Sequence, residues 1–181
     1  MSKRDLKDIL EWACVLVVFT AMMAYGLGKI VQFNYEMYAD KTLRELTPMQ
    51  LMWAFYGYSL THAILLGIVE VLGGLMLLFR QSRVFGAMIL SGVLSYVIFQ
   101  DIVYEVLRGA LFAAIIYLLL VQIILYLNRE KVIEIVKSLL DKRIQEKSSM
   151  NIFLKIFMII ILAGIIKFLE IQITHKNILN F

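Results

Sequence analysis

Charged residues divide this chain into long apolar runs. Trp12 to Gly28, Val84 to Gln100 and Gly109 to Asn128 contain no Asp, Glu, Lys or Arg. A run from Phe55 to Phe79 is interrupted by Glu70 alone, and a last one, Ile152 to Ile173, carries Lys155, Lys167 and Glu170. Seventeen to twenty helical residues rise roughly 26–30 Å, about the thickness of a bilayer's hydrocarbon layer. The pattern therefore predicts four membrane-spanning helices and, in the last run, a fifth. Trp53, Phe55, Tyr56 and Tyr58 fall at the entry of the second span, where amphipathic rings sit at headgroup level. Between Glu130 and Lys147 the period changes. Val132, Ile135, Val136, Leu139, Leu140 and Ile144 recur at helical spacing among charges, the signature of a basic amphipathic helix lying along a membrane surface; a docking helix for a soluble partner is the alternative.

Composition agrees. Of 181 residues 61% are hydrophobic and 18% charged, against about 25% charged in soluble domains. The surplus of apolar side chains exceeds what one core holds, so lipid is the expected partner. A net charge of +4 does not point to nucleic acid, because the basic residues gather at the ends of the apolar runs. Lys3, Arg4 and Lys7 precede the first span, Arg80 and Arg83 join the second and third, and Arg129, Lys131, Lys137, Lys142, Arg143 and Lys147 follow the fourth. The opposite loops hold Lys41, Arg44 and Arg108 among acidic residues. By the positive-inside rule the N-terminus is cytoplasmic, in a multi-pass protein of the inner (cytoplasmic) membrane. The first span reads as a retained anchor, since its apolar run is long for a signal peptide and lacks a small-x-small cleavage context.

Chemistry is sparse. Cys14 is a lone thiol, and His62 and His175 are far apart, so the sequence offers no dithiol, no metal set and no nucleophile–base pair. Small residues recur at every fourth position: Thr20, Ala24 and Gly28; Ser59, Ala63 and Gly67, with Gly74 beyond; Ala87, Ser91 and Ser95. In lipid such ladders let helix backbones approach. The tight Gln81–Ser82 connection makes spans two and three antiparallel neighbours, and an antiparallel four-helix bundle with a fifth helix alongside is expected. Residues 1–128 form that bundle, 129–149 the amphipathic helix, and 150–181 the fifth helix with a short tail.

Glu70 lies deep in its span on the same stripe as Gly67 and Gly74, and so is expected to face the bundle interior. An intramembrane carboxyl is a functional-site hypothesis by default; the plain alternative is a hydrogen-bonded Glu that joins helices. Tyr25, Lys29, Tyr96 and Ser91 are its candidate partners. A second polar set, Lys29, His62, Asp101, Tyr104, Glu105 and Arg108, gathers at the outer ends of the spans. Should the third span continue as helix, Asp101, Tyr104, Glu105 and Arg108 share one face, with Lys29 pairing Asp101 or Glu105. That set is either a solvated rim or a pocket for a small polar headgroup.

Tyr25-Gly-Leu-Gly-Lys29, the Met49–Ser59 segment with Trp53, Phe55 and Gly57, and Gly67-Ile-Val-Glu70-Val-Leu-Gly73-Gly74 running on to Arg80 together resemble the DoxX-like membrane protein family. Tyr104-Glu105-Val is similar to that family's Tyr-Asp-Val stretch, with Asp101 where an Asn is common and Leu107 and Gly109 in place of a Pro and a Lys. The resemblance covers roughly Leu6 to Asn128, and the remainder of the chain reads as an appended C-terminal extension. It implies a four-helix membrane bundle, recurrent polar positions at Lys29, Glu70, Arg80, Tyr104 and Glu105, and a link to thiosulfate:quinone-type redox complexes. The expected function is thus a non-catalytic accessory or assembly subunit of a membrane complex. The alternatives are a quinone-binding subunit that uses Glu70, and a small proton or solute carrier.

Overall fold

The computed structural model describes residues 2–33, 35–38, 40–140 and 151–178. The described residues form α1 (Lys3–Gln32), a short 3-10 turn (Tyr35–Tyr38), α2 (Pro48–Gly57), α3 (Leu60–Leu78), α4 (Arg83–Val103), α5 (Arg108–Leu127), α6 (Arg129–Leu140) and α7 (Ile152–Ile178). Five of them, α1, α3, α4, α5 and α7, are long and apolar enough to cross a membrane. This is an all-α membrane protein. It divides into two compact units, Met1–Leu139 and Leu140–Phe181.

In the first unit α1, α3, α4 and α5 close a ring, each touching the next and α5 returning to α1. Opposed positions run in reverse order: Gly26 meets Gly67 while Met22 meets Gly74, and Leu90 meets Gly73 while Gly86 meets Met76. Ser91 receives a hydrogen bond from Gln122 at 3.0 Å. The result is an antiparallel four-helix bundle. On α1 the buried residues Cys14, Val15, Val18, Ala21 and Met22 repeat at helical spacing. They join Leu77, Leu90, Leu94, Val121 and Ile124 in one core cluster. A second cluster of Phe33, Met52, Tyr56 and Ala63 forms at the bundle end away from the N-terminus.

Several expectations change. α1 begins nine residues before Trp12, because Ser2 and Asp5 form a reciprocal capping box; its thirty residues measure about 45 Å, beyond the hydrocarbon layer alone. The second span starts at Leu60 rather than Phe55. Thr47, Pro48 and Gln50 start the separate helix α2, and Ser59 leaves helical geometry at φ −126° and ψ 105° before α3. Nor is the first small-residue ladder a contact stripe. Nothing lies near the position a Gly28 side chain would occupy, and Ala24 is exposed; Gly26, two residues from either and so on the other side of the helix, meets α3. On the other two ladders Ala63, Gly67, Gly74 and Ala87 are buried, but Ser59 and Ser95 are exposed.

The stretch after α4 does not stay helical. α4 stops at Val103, and Glu105 turns left-handed at φ 52°. The Val106 N–H then donates to the Asp101 carbonyl at 2.9 Å, closing a Schellman-type cap. Asp101, Tyr104, Glu105 and Arg108 therefore share no continuous helix face. A non-glycine residue held there costs on the order of 1–2 kcal/mol. Because the Glu105 side chain is exposed, Glu105→Gly should raise stability by about 0.5–1 kcal/mol, the gain being trimmed by the looser unfolded chain. A melt of the purified protein in detergent checks this, and an unchanged or lower midpoint contradicts the strain.

α6 is amphipathic and all its residues are half-buried or exposed. Its expected continuation to Lys147, with Lys142, Arg143 and Ile144, lies outside the described residues. In the second unit α7 is largely apolar, with Lys155 in its first turn and the Lys167–Glu170 ion pair at 2.8 Å farther on.

Candidate functional site

Glu70 is 5% exposed and faces the interior of the bundle. Its neighbour is Lys29, whose ammonium lies 3.0 Å from Glu70 Oε1. A lysine near a helix end in a membrane usually extends toward the nearer water. Here the side chain runs the other way. Gly26 and Gly67 bring α1 and α3 into backbone contact, and a side chain at Gly67 would meet Lys29 Cγ at 3.5 Å. The lysine stem thus crosses the space that Gly67 leaves open and reaches Glu70 one turn farther in. Of the two pairings the sequence offers Lys29, with Glu70 or with Asp101 or Glu105, the structure holds the first; Glu105 is exposed and Asp101 forms no ion pair among the described residues.

The pair forms part of the wall of a cavity of about 180 Å³ where the two core clusters meet. Lys29, Glu70 and Asp101 are its charged lining, Gln32, Gln100 and several hydroxyls its neutral polar lining, and Tyr25, Phe33, Trp53, Tyr56, Tyr96 and Tyr117 its aromatic wall. The Lys29 ammonium also stands 5.5 Å from the Phe33 ring centroid, a cation–π contact. Two polar atoms of the lining, Glu70 Oε2 and Trp53 Nε1, are buried with no hydrogen-bond partner among the described residues. Native interiors rarely tolerate such atoms without a reason. One is an acceptor as a carboxylate oxygen, and the other can only donate.

Gln100 donates to the Tyr56 hydroxyl. Burial, with the Tyr96 hydroxyl beside it, pushes the Tyr56 phenol up to about 12. Tyr56 therefore stays a neutral hydroxyl over the whole physiological range.

Of the residues singled out in the sequence, the structure brings Tyr25, Lys29, Glu70, Tyr96 and Asp101 around this cavity. His62, Tyr104 and Glu105 are not among its lining. His62 is exposed, with its ring 5.3 Å from that of Tyr56. Tyr104 packs against the Phe33 cluster instead. Ser91, a candidate partner of Glu70, bonds to the Ala87 carbonyl and to Gln122.

Sequence reasoning did not find Phe33, Trp53, Gln100 or Tyr117. Trp53 and Tyr56 read as an interfacial belt, whereas α2 turns them inward into the cavity wall; the thread is the capping box at Thr47, which marks α2 as a helix of its own.

It also missed a polar lock at the other end. Arg83 is 1% exposed and donates to Glu11 Oε1 at 2.7 Å and to the Leu77 carbonyl at 2.8 Å. Its guanidinium lies 4.3 Å from the Trp12 ring centroid, and Asn128 donates to the same Glu11 oxygen at 2.9 Å. Outside it Arg80 pairs with Asp8 at 2.6 Å. Compared with models of known protein families, with curated proteins and with solved structures, the chain finds no match.

Proposed function

We propose that this chain is a membrane-embedded binding subunit that holds a small, largely apolar molecule by its polar head beside Glu70 and Lys29. The observation that carries the reading is the cavity with a carboxylate oxygen and an indole N–H in its wall that have no hydrogen-bond partner among the described residues. Ligand sites are concave and mostly apolar with a few convergent polar groups, and this one fits that description. Its size sets the scale of the head. An engineered cavity of about 150 Å³ accepts benzene, so this one accommodates a single ring.

The proposed setting is the inner (cytoplasmic) membrane, with the N-terminus cytoplasmic, supported by the distribution of Lys and Arg over the loops. The cavity then lies in the outer half. The likeness of the Glu70-Val-Leu-Gly-Gly segment to DoxX-like proteins supports a place in a membrane complex, and quinone heads belong to the size class that fits. α6 and α7, which follow the bundle along the chain, are the elements that would meet partner subunits.

The test uses the two tryptophans. Trp12→Phe leaves Trp53 as the single indole, beside the cavity. One-ring amphiphiles such as phenol, benzoquinone and cyclohexylamine should change its fluorescence saturably. Ala114→Phe, which places a ring in the cavity from α5, should abolish the response while the protein remains monodisperse. No saturable response from any of these compounds would overturn the binding reading and leave an assembly subunit as the role.

A further inference from the structure

Counted as ionised, the charged groups in the cavity wall do not balance. Glu70 and Asp101 both line it, both less than a tenth exposed, against the single ammonium of Lys29. Lys29 is committed to Glu70 Oε1 at 3.0 Å, which leaves Glu70 Oε2 bare and Asp101 without an ion pair among the described residues. Charge removed from water without a counter-charge is costly, and a second cation would relieve it. Around these groups stand six aromatic rings, and the one ammonium already present shows how they receive a cation, since Lys29 lies over Phe33.

We infer that the molecule held in this cavity carries a protonated primary or secondary amine on an apolar, ring-sized body. Its N–H groups complete Glu70 Oε2 and neutralise Asp101, and the aromatic faces surround the cationic centre. A hydroxyl or carbonyl next to the amine would in addition accept the Trp53 Nε1 hydrogen. This rests on the binding function proposed for the cavity and narrows it. A quaternary ammonium fits less well, because it has no N–H for the bare carboxylate oxygen.

Cyclohexylammonium and cyclohexanol have nearly the same shape and differ in charge. With the full chain in detergent micelles, calorimetric titration should show the amine binding at least roughly tenfold more tightly than the alcohol, the factor expected of one charge-assisted hydrogen bond in a buried site. Glu70→Gln and Asp101→Asn should each remove about that factor. Should Glu70→Gln fail to fold with Lys29 left unpaired, Asp101→Asn keeps the Lys29–Glu70 pair and carries the test alone. Asp8→Asn, at the far end of the bundle, should leave the affinity unchanged. If cyclohexanol or benzoquinone binds as tightly as the amine, or if Asp101→Asn changes nothing, the cationic class is wrong while the cavity still binds. If none of the three compounds binds, the binding reading falls with it.

Discussion

Alanine at position 11 will destabilise the bundle by about 3–5 kcal/mol, the cost of leaving a buried charge without its partner. Arg83 is 1% exposed and its charge is met by the Glu11 carboxylate at 2.7 Å. With the carboxylate gone, the Leu77 carbonyl and the Trp12 ring still hold the guanidinium in place, so it cannot withdraw to water. Asn128 loses its acceptor on the same side chain as well. The lock joins the N-terminal part of α1 and the start of α4 to the last turn of α3 and the end of α5, so its loss loosens every helix of the ring. Unfolding of the purified protein in mixed micelles, followed by its helical signal, measures the change. The double variant Glu11→Leu with Arg83→Met should be less destabilised than either single one, because replacing both charges by apolar groups removes the uncompensated ion. A Glu11→Ala protein that unfolds like the wild type would show that the pair carries no net stability.

The second large effect separates two glycines of α1 and α3 from one that looks equivalent in the sequence. Gly67→Ala should cost about 3 kcal/mol, the upper range for overpacking, because its new Cβ would collide with the Gly26 carbonyl oxygen. That oxygen belongs to helix backbone and cannot rotate aside. Gly26→Ala should behave alike, with the Gly67 carbonyl at 2.7 Å from the new atom. Gly28→Ala should have the opposite sign. Nothing lies within 4 Å of its Cβ position, so only the helix preference for Ala remains, a gain of about 1 kcal/mol. Comparing the three variants in one unfolding series decides the point. Equal losses at Gly28 and Gly67 would mean that α1 packs through the Thr20–Gly28 ladder instead.

Much of the architecture was legible in the sequence, since the exclusion of charge from long runs is a one-dimensional signal that lipid imposes directly. The spans, the α3–α4 hairpin and the inward direction of Glu70 come from it. The ends of helices were less legible. Phe55 seemed continuous with the second span because hydropathy does not see the backbone break at Ser59. Helix beyond Asp101 seemed natural because nothing in Tyr104-Glu105 announces a left-handed residue; a glycine there would have.

For the candidate site the division is similar. Glu70 and Lys29 stand out as charges in or near apolar runs, so their importance can be read along the chain. Arg83 and Glu11 hide at run boundaries, where a charge is ordinarily solvated, and Trp53 hides in an aromatic belt. Their burial depends on what four helices and α2 bring against them.

By itself, then, the sequence determined that this chain dissolves in lipid, how many helices are long enough to cross it, and that one acid must be turned away from the acyl chains. Those are consequences of hydropathy and period, which each segment carries alone. Only the tertiary structure decided which glycines touch, that Lys29 reaches inward to Glu70, that Asp101 lines the same cavity without an ion pair among the described residues, and that α2 adds its aromatic rings to that wall. Each of these depends on distances between segments far apart in the chain, and residue spacing along one helix does not encode them.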